Sequence, residues 1–137
     1  MKPIEEQLIL HEGLRLKPYR CTAGKLTIGV GRNLDDKGIS KEEALFLLRN
    51  DIATVTTQLQ KYDWYINADP IRQKVLVDMA YNLGVGGLLQ FRRMIAAIEL
   101  GDYGAAADQM LDSRWAEQVG MRATRLAQMM RTGEDYA

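Results

Sequence analysis

Glu12, Cys21 and Thr27 are the residues whose types and order suit chemistry, spaced as E-x8-C-x5-T. A carboxyl can give or take a proton. A thiol is a weak acid and, once ionised, a nucleophile. A hydroxyl can donate to one partner while accepting from another. Taken singly, each has an ordinary reading too. Glu12 follows the single histidine, His11, at the predicted end of a helix, where a solvated carboxylate is the commoner outcome. Yet a carboxylate there faces the negative end of the helix dipole, at a cost of roughly a few tenths of a kcal/mol. The position therefore asks for a further reason. His11 reads as a packed or solvated side chain rather than a base. Cys21, the single cysteine, reads either as a small buried hydrophobe or as a thiol activated by Arg20 and Lys25. Thr27 by itself reads as a strand residue.

These three residues must be positioned by the elements around them. Pro3 suits a first helical position, and Ile4, Leu8 and Ile9 share a face, so a short helix is predicted up to Gly13. Tyr19, Leu26, Thr27, Ile28 and Val30 favour strands, with Ala23-Gly24 as a hairpin turn and Asp35-Asp36-Lys37-Gly38 as a second turn. Gly29 and Gly31 frame Val30, a sign of backbone running close to something. Ser40 and Glu43 form a capping box, and the apolar spacing after it predicts a long helix to about residue 60. Asp69-Pro70 opens a helix to about Asn82, and Gly84, Gly86 and Gly87 read as a loop. Further helices follow over Leu88–Leu100, from the Asp102 cap to about Leu111, from the Ser113 cap, and over Met121–Arg131 before Gly133. The pattern is α+β and mainly α. A small β lobe at about 13–40 leads through a connecting helix at 41–60 to a helical lobe at 61–137, which also takes in residues 1–12.

Composition narrows the choice of function. Of 137 residues 47% are hydrophobic and 26% charged, ordinary values for a folded domain. Eighteen basic and eighteen acidic residues cancel, so the excess charge of a nucleic-acid binder is missing. One cysteine and one histidine leave no disulfide framework and no His/Cys zinc site. The opening MKPIEEQLIL has two acids where a signal peptide has its apolar core, which predicts a soluble protein of a reducing compartment without a membrane anchor. No glycine pattern fits a phosphate or dinucleotide loop. The Met and Leu positions of the C-terminal helices read as core, and Arg92-Arg93 as a solvated face.

The order E-x8-C-x5-T, set in HEGLRLKPYRCTAGKLTIGVGRN at 11–33, resembles the phage-type lysozymes of glycoside hydrolase family 24, which include the T-even and lambdoid phage enzymes. The resemblance continues through AYNLG at 80–84, ELGDYGAAADQML at 99–111, SRW at 113–115 and RTG at 131–133. It implies a lysozyme-like fold with the active-site cleft between two lobes. It also implies a muramidase that cuts the β-1,4 bond between N-acetylmuramic acid and N-acetylglucosamine in peptidoglycan. Glu12 then corresponds to the general acid. Cys21 takes the place usually held by an aspartate that activates the water, and Thr27 corresponds to the hydroxyl that places it. Glycoside cleavage needs such an acid at the leaving oxygen and support for attack at the anomeric carbon.

The resemblance further matches Arg122 to an arginine that pairs with the catalytic glutamate, and Arg32 with Asp51 to a structural ion pair. Tyr81 and Asn82 match sugar-contacting positions, and Gly31 and Asn33 match the opposite lip. The stretch from Gly31 to Ser40 is shorter than in the T-even enzyme, so a smaller β lobe is expected. The biological role implied is host-cell lysis, and the mechanism needs no metal or organic cofactor. Nothing in the chain suggests an oligomer, so a monomer is expected, and the lack of a signal or anchor segment predicts that it waits in the host cytoplasm for release by a separate holin. A neutral thiol is a poorer base than a carboxylate. Two other readings therefore stand beside the muramidase: a lytic transglycosylase giving anhydromuramic ends, and a peptidoglycan-binding module without activity.

Overall fold

A computed structural model describes residues 3–136. The architecture is α+β and mainly helical, with one three-stranded antiparallel sheet in the order β1-β2-β3. The chain forms two compact units, Met1–Leu47 and Leu48–Ala137.

The first unit begins with α1 (Ile4–Glu12), which has Glu5 and Glu6 in its first turn and ends where the Gly13 amide donates to the Ile9 carbonyl. Strands β1 (Arg15–Arg20), β2 (Leu26–Gly29) and β3 (Arg32–Asn33) follow. Strand β1 pairs Tyr19 with Thr27 and Arg20 with Leu26, and the register shifts between Arg15 and Tyr19. Pro18 lies within the shifted stretch. It has no N–H to give a ladder, and the edge position of β1 tolerates that. The hairpin closes where the Cys21 amide donates to the Lys25 carbonyl at 3.0 Å and the Gly24 amide to the Cys21 carbonyl at 2.8 Å.

The segment 35–38 is not the simple turn expected from its composition. It belongs to a single helical turn, α2 (Leu34–Lys37), because Asn33 Oδ1 accepts the Asp36 amide and caps it. Helix α3 (Lys41–Leu59) begins at the predicted capping box. The Glu43 amide donates to Ser40 Oγ at 3.1 Å, and the Ser40 amide donates to Glu43 Oε1 at 2.8 Å.

The second unit holds the apolar core. A four-residue helix, α4 (Asp63–Ile66), precedes α5 (Pro70–Leu89), whose first turn is capped by Asp69. The three glycines do not end α5 as expected. The backbone kinks at Gly84 (φ 77°, ψ 156°) and turns helical again through Leu89, so the next helix, α6 (Arg92–Glu99), starts later than Leu88. Two further helices follow the predicted caps, α7 (Tyr103–Leu111) and α8 (Arg114–Val119), and α9 (Met121–Thr132) starts after Gly120 without a side-chain cap. Leu76, Met79, Leu88, Met94, Met110 and Met130 are fully buried among them. Met110, Leu126, Met129 and Met130 are thus core, as their spacing indicates, whereas Leu100, Leu111 and Met121 are exposed. Among the described residues no helix is long and apolar enough to cross a membrane.

Candidate active site

Glu12 is the last residue of α1 and is exposed. The reason for a carboxylate at this helix end lies in the sheet. A Cβ on Gly31 would stand 2.6 Å from Glu12 Oε2, 3.1 Å from Cδ and 3.3 Å from Cγ. The carboxyl group therefore rests on bare backbone at the β2–β3 turn. Gly31 has φ +65°, a conformation that disfavours any side chain. The close approach inferred from the two glycines around Val30 is made by Gly31, and the group it admits is Glu12.

Cys21 and Thr27 lie on the same hairpin. Thr27 is 3% exposed and is the one buried polar side chain among the described residues. Its hydroxyl donates to the Lys25 carbonyl at 2.9 Å, which satisfies the proton and leaves oxygen lone pairs free to accept. The backbone groups of Lys25 and then Ala23 lower the Cys21 thiol below its usual range. Partial burial works against this lowering. The lowering comes from hydrogen bonding around the turn, which favours the thiolate, rather than from the Arg20 and Lys25 side chains. Those two cations are held instead by Asp35 at 3.4 Å and Asp36 at 3.2 Å.

Asn33, expected at the lip, spends both side-chain groups on Asp36. Its Oδ1 caps α2, and its Nδ2 donates to Asp36 Oδ2 at 2.9 Å. Arg32 is paired within its own unit. Its two terminal nitrogens meet Glu43 Oε1 and Oε2 at 3.0 and 2.9 Å. The capping box has already fixed that carboxylate in a bidentate geometry that suits guanidinium. With Arg32 and then Ser40 donating to it, the Glu43 carboxyl is held down at about 2.

In the helical unit, Tyr81 and Arg122 line a hollow of about 240 Å³ with Leu48, Ile52, Val77 and Lys74. Within this unit the acid bound to Arg122 is Asp78. Asp78 Oδ1 receives Nε at 2.9 Å and Nη2 at 2.7 Å. Asp78 was not singled out from the sequence. The available signal was its place three residues before Tyr81, which puts both on one helix face. Asn82 accepts the Trp115 indole N–H through Oδ1 at 2.9 Å, and Trp115 itself packs edge-on against Phe91. The amide Nδ2 of Asn82 stays free to donate outward.

A mainly helical α+β chain with a three-stranded sheet and a carboxyl seated on it is of the lysozyme-like class. Comparison with known proteins gives the family. Residues 10–132 match the phage lysozyme model, and the chain belongs to that family. It is 30% identical over 158 residues to the pre-baseplate central spike protein Gp5 of Enterobacteria phage T4, covering 93% of this chain and 27% of that protein. It is 27% identical over 160 residues to probable T4-type lysozyme 1 of Dictyostelium discoideum, covering 95% and 94%. It is 30% identical over 125 residues to an endolysin of Acyrthosiphon pisum secondary endosymbiont phage 1, covering 86% and 84%. The chain thus spans about a quarter of the spike protein and most of the other two.

Proposed function

We propose that this lysozyme domain is a phage muramidase that cleaves the β-1,4 bond between N-acetylmuramic acid and N-acetylglucosamine in bacterial peptidoglycan. The observation that carries the reading is the seat of Glu12 on Gly31, which holds an acid where nothing else in the local structure calls for one. Glu12 gives its proton to the glycosidic oxygen as the bond to the anomeric carbon breaks. A water attacks that carbon from the other face. The Thr27 oxygen accepts one water proton as a hydrogen bond. Cys21, drawn toward its thiolate by the turn, accepts the other and takes it as the new C–O bond forms. This gives inversion of configuration. Tyr81, Asn82 and Arg122 hold the sugar chain, with Asp78 orienting Arg122.

The named endolysin relative supports a role in host lysis. We add to the proposal that the domain acts as a monomer and reaches the wall after release by a separate holin.

The test is mass spectrometry of soluble products from purified peptidoglycan, with Glu12→Gln as the control. Reducing muramic acid ends, absent from the control, are the expected result. Anhydromuramic ends would move the assignment to a lytic transglycosylase, whose nucleophile is the sugar's own 6-hydroxyl. Binding without release would make the domain a wall-binding module. Proton NMR of the first product gives the anomer, and retention would overturn the water-attack step in favour of a Cys21 nucleophile.

A further inference from the structure

We propose that the helical unit carries a second glycan-binding site, built on the aromatic pair Tyr62 and Trp64. Their rings stack with centroids 5.2 Å apart and planes 27° from parallel. They border a hollow of about 430 Å³ that Tyr103 and Asn67 also line. Both rings are half-buried and pack against the core, so their orientation is fixed before any ligand arrives. The Tyr103 wall is fixed as well. The Arg72 guanidinium lies 3.7 Å from its ring centre, and Arg72 Nε is anchored on the Met130 carbonyl at 2.7 Å. A preformed aromatic wall avoids much of the ordering cost of binding.

The chemistry of the hollow selects its ligand. Among the described residues, the side chains of Lys61, Asp63, Asn67 and Glu99 make no hydrogen bond or ion pair, and all four line the hollow. Their donors and acceptors are therefore free for a ligand rich in hydroxyls and amides. One cation against two carboxylates gives no positive excess, which disfavours phosphates and anionic polymers. An aromatic surface with a rim of mixed donors and acceptors matches a sugar ring, which has an apolar C–H face and a polar edge. The ligand class is a neutral N-acetylhexosamine chain. None of these residues belongs to the candidate catalytic set. The inference rests on the proposed glycan substrate and deepens it: a second hold on the same strand raises the local concentration of the polymer at the enzyme.

The experiment is a titration of the full chain, carrying Glu12→Gln to prevent turnover, with N-acetylglucosamine hexamer. The two indole N–H signals are followed by NMR and assigned with Trp64→Phe. The expected result is a saturable shift of the Trp64 signal. The exposed pair Asn67→Ala and Glu99→Ala weakens that binding about tenfold, as loss of good anchors does. It also lowers retention on insoluble peptidoglycan. A Trp64 signal that stays still up to saturating hexamer overturns the proposal, as does a shift whose midpoint the double replacement leaves unchanged. Product analysis on the unmodified chain is read separately. Hydrolysis without a Trp64 shift removes only the second site, whereas a Trp64 shift without hydrolysis removes only the muramidase reading.

Discussion

Gly31→Ala separates the cost of backbone strain from the cost of moving the acid. At φ +65° an alanine pays about 1–2 kcal/mol for a left-handed backbone. For a chain of this size that lowers Tm by roughly 3–10 °C. Its methyl would also meet Glu12 Oε2 at 2.6 Å, where ordinary contact begins near 3.4 Å. The carboxyl oxygen must therefore retreat by about 0.8 Å, the difference of those two distances. Because that atom ends a flexible side chain, the retreat costs little stability. Its cost falls on catalysis, where a misplacement near 1 Å lowers the rate about 100-fold. Gly29→Ala is the matched control: φ is +70°, and a Cβ there meets nothing within 4 Å. Both variants should melt earlier by similar amounts. At 25 °C, on purified peptidoglycan, only Gly31→Ala should lose about two orders of magnitude in kcat/KM. Equal losses in the two variants would refute the idea that Gly31 seats the acid.

Three further outcomes follow from the same structure. The Glu43 carboxyl is held at about 2, so its stabilisation is full above the ordinary Glu value of ~4.3 and disappears as pH falls from there through about 2. The Tm gap between the native chain and Arg32→Ala is therefore widest near neutral pH and closes on acidification, and a gap that widened in acid would contradict the pairing. The lowered Cys21 thiol should react with iodoacetamide with a midpoint below that of the same thiol in the urea-unfolded chain. Alkylation followed by mass spectrometry reads that midpoint, and unchanged hydrolysis after complete modification would remove Cys21 from the mechanism. Asn82→Ala leaves the indole N–H of buried Trp115 without its partner, which should cost about 1–3 kcal/mol in urea unfolding.

The helix starts were legible because a cap is a local event. Ser40 with Glu43, Asp69 before Pro70, Asp102 and Ser113 each bond an amide three residues on, and each opens a helix as read. The stop at Gly133 is likewise local, with the left-handed backbone such an ending needs. Gly84 misled because the same positive φ that ends one helix also permits a kink, after which the chain turns helical again through buried Leu88. No residue nearby distinguishes the two outcomes. Packing of Leu88 into the core does.

The capped helix starts, the small sheet and the family motif that marks Glu12, Cys21 and Thr27 can all be read from the chain alone, because each rests on local chemistry. The partners of the charged side chains were settled by the fold. Arg32 meets Glu43, whose carboxylate the capping box had already fixed. Arg122 is bound by Asp78, 44 residues earlier in the chain. Spacing had raised a close approach at Gly31 but could not say to what, and the answer is the acid itself. Caps and turns are set by neighbours within about four residues. A charged side chain takes whichever opposite charge the fold brings within reach, and that distance is written only in three dimensions.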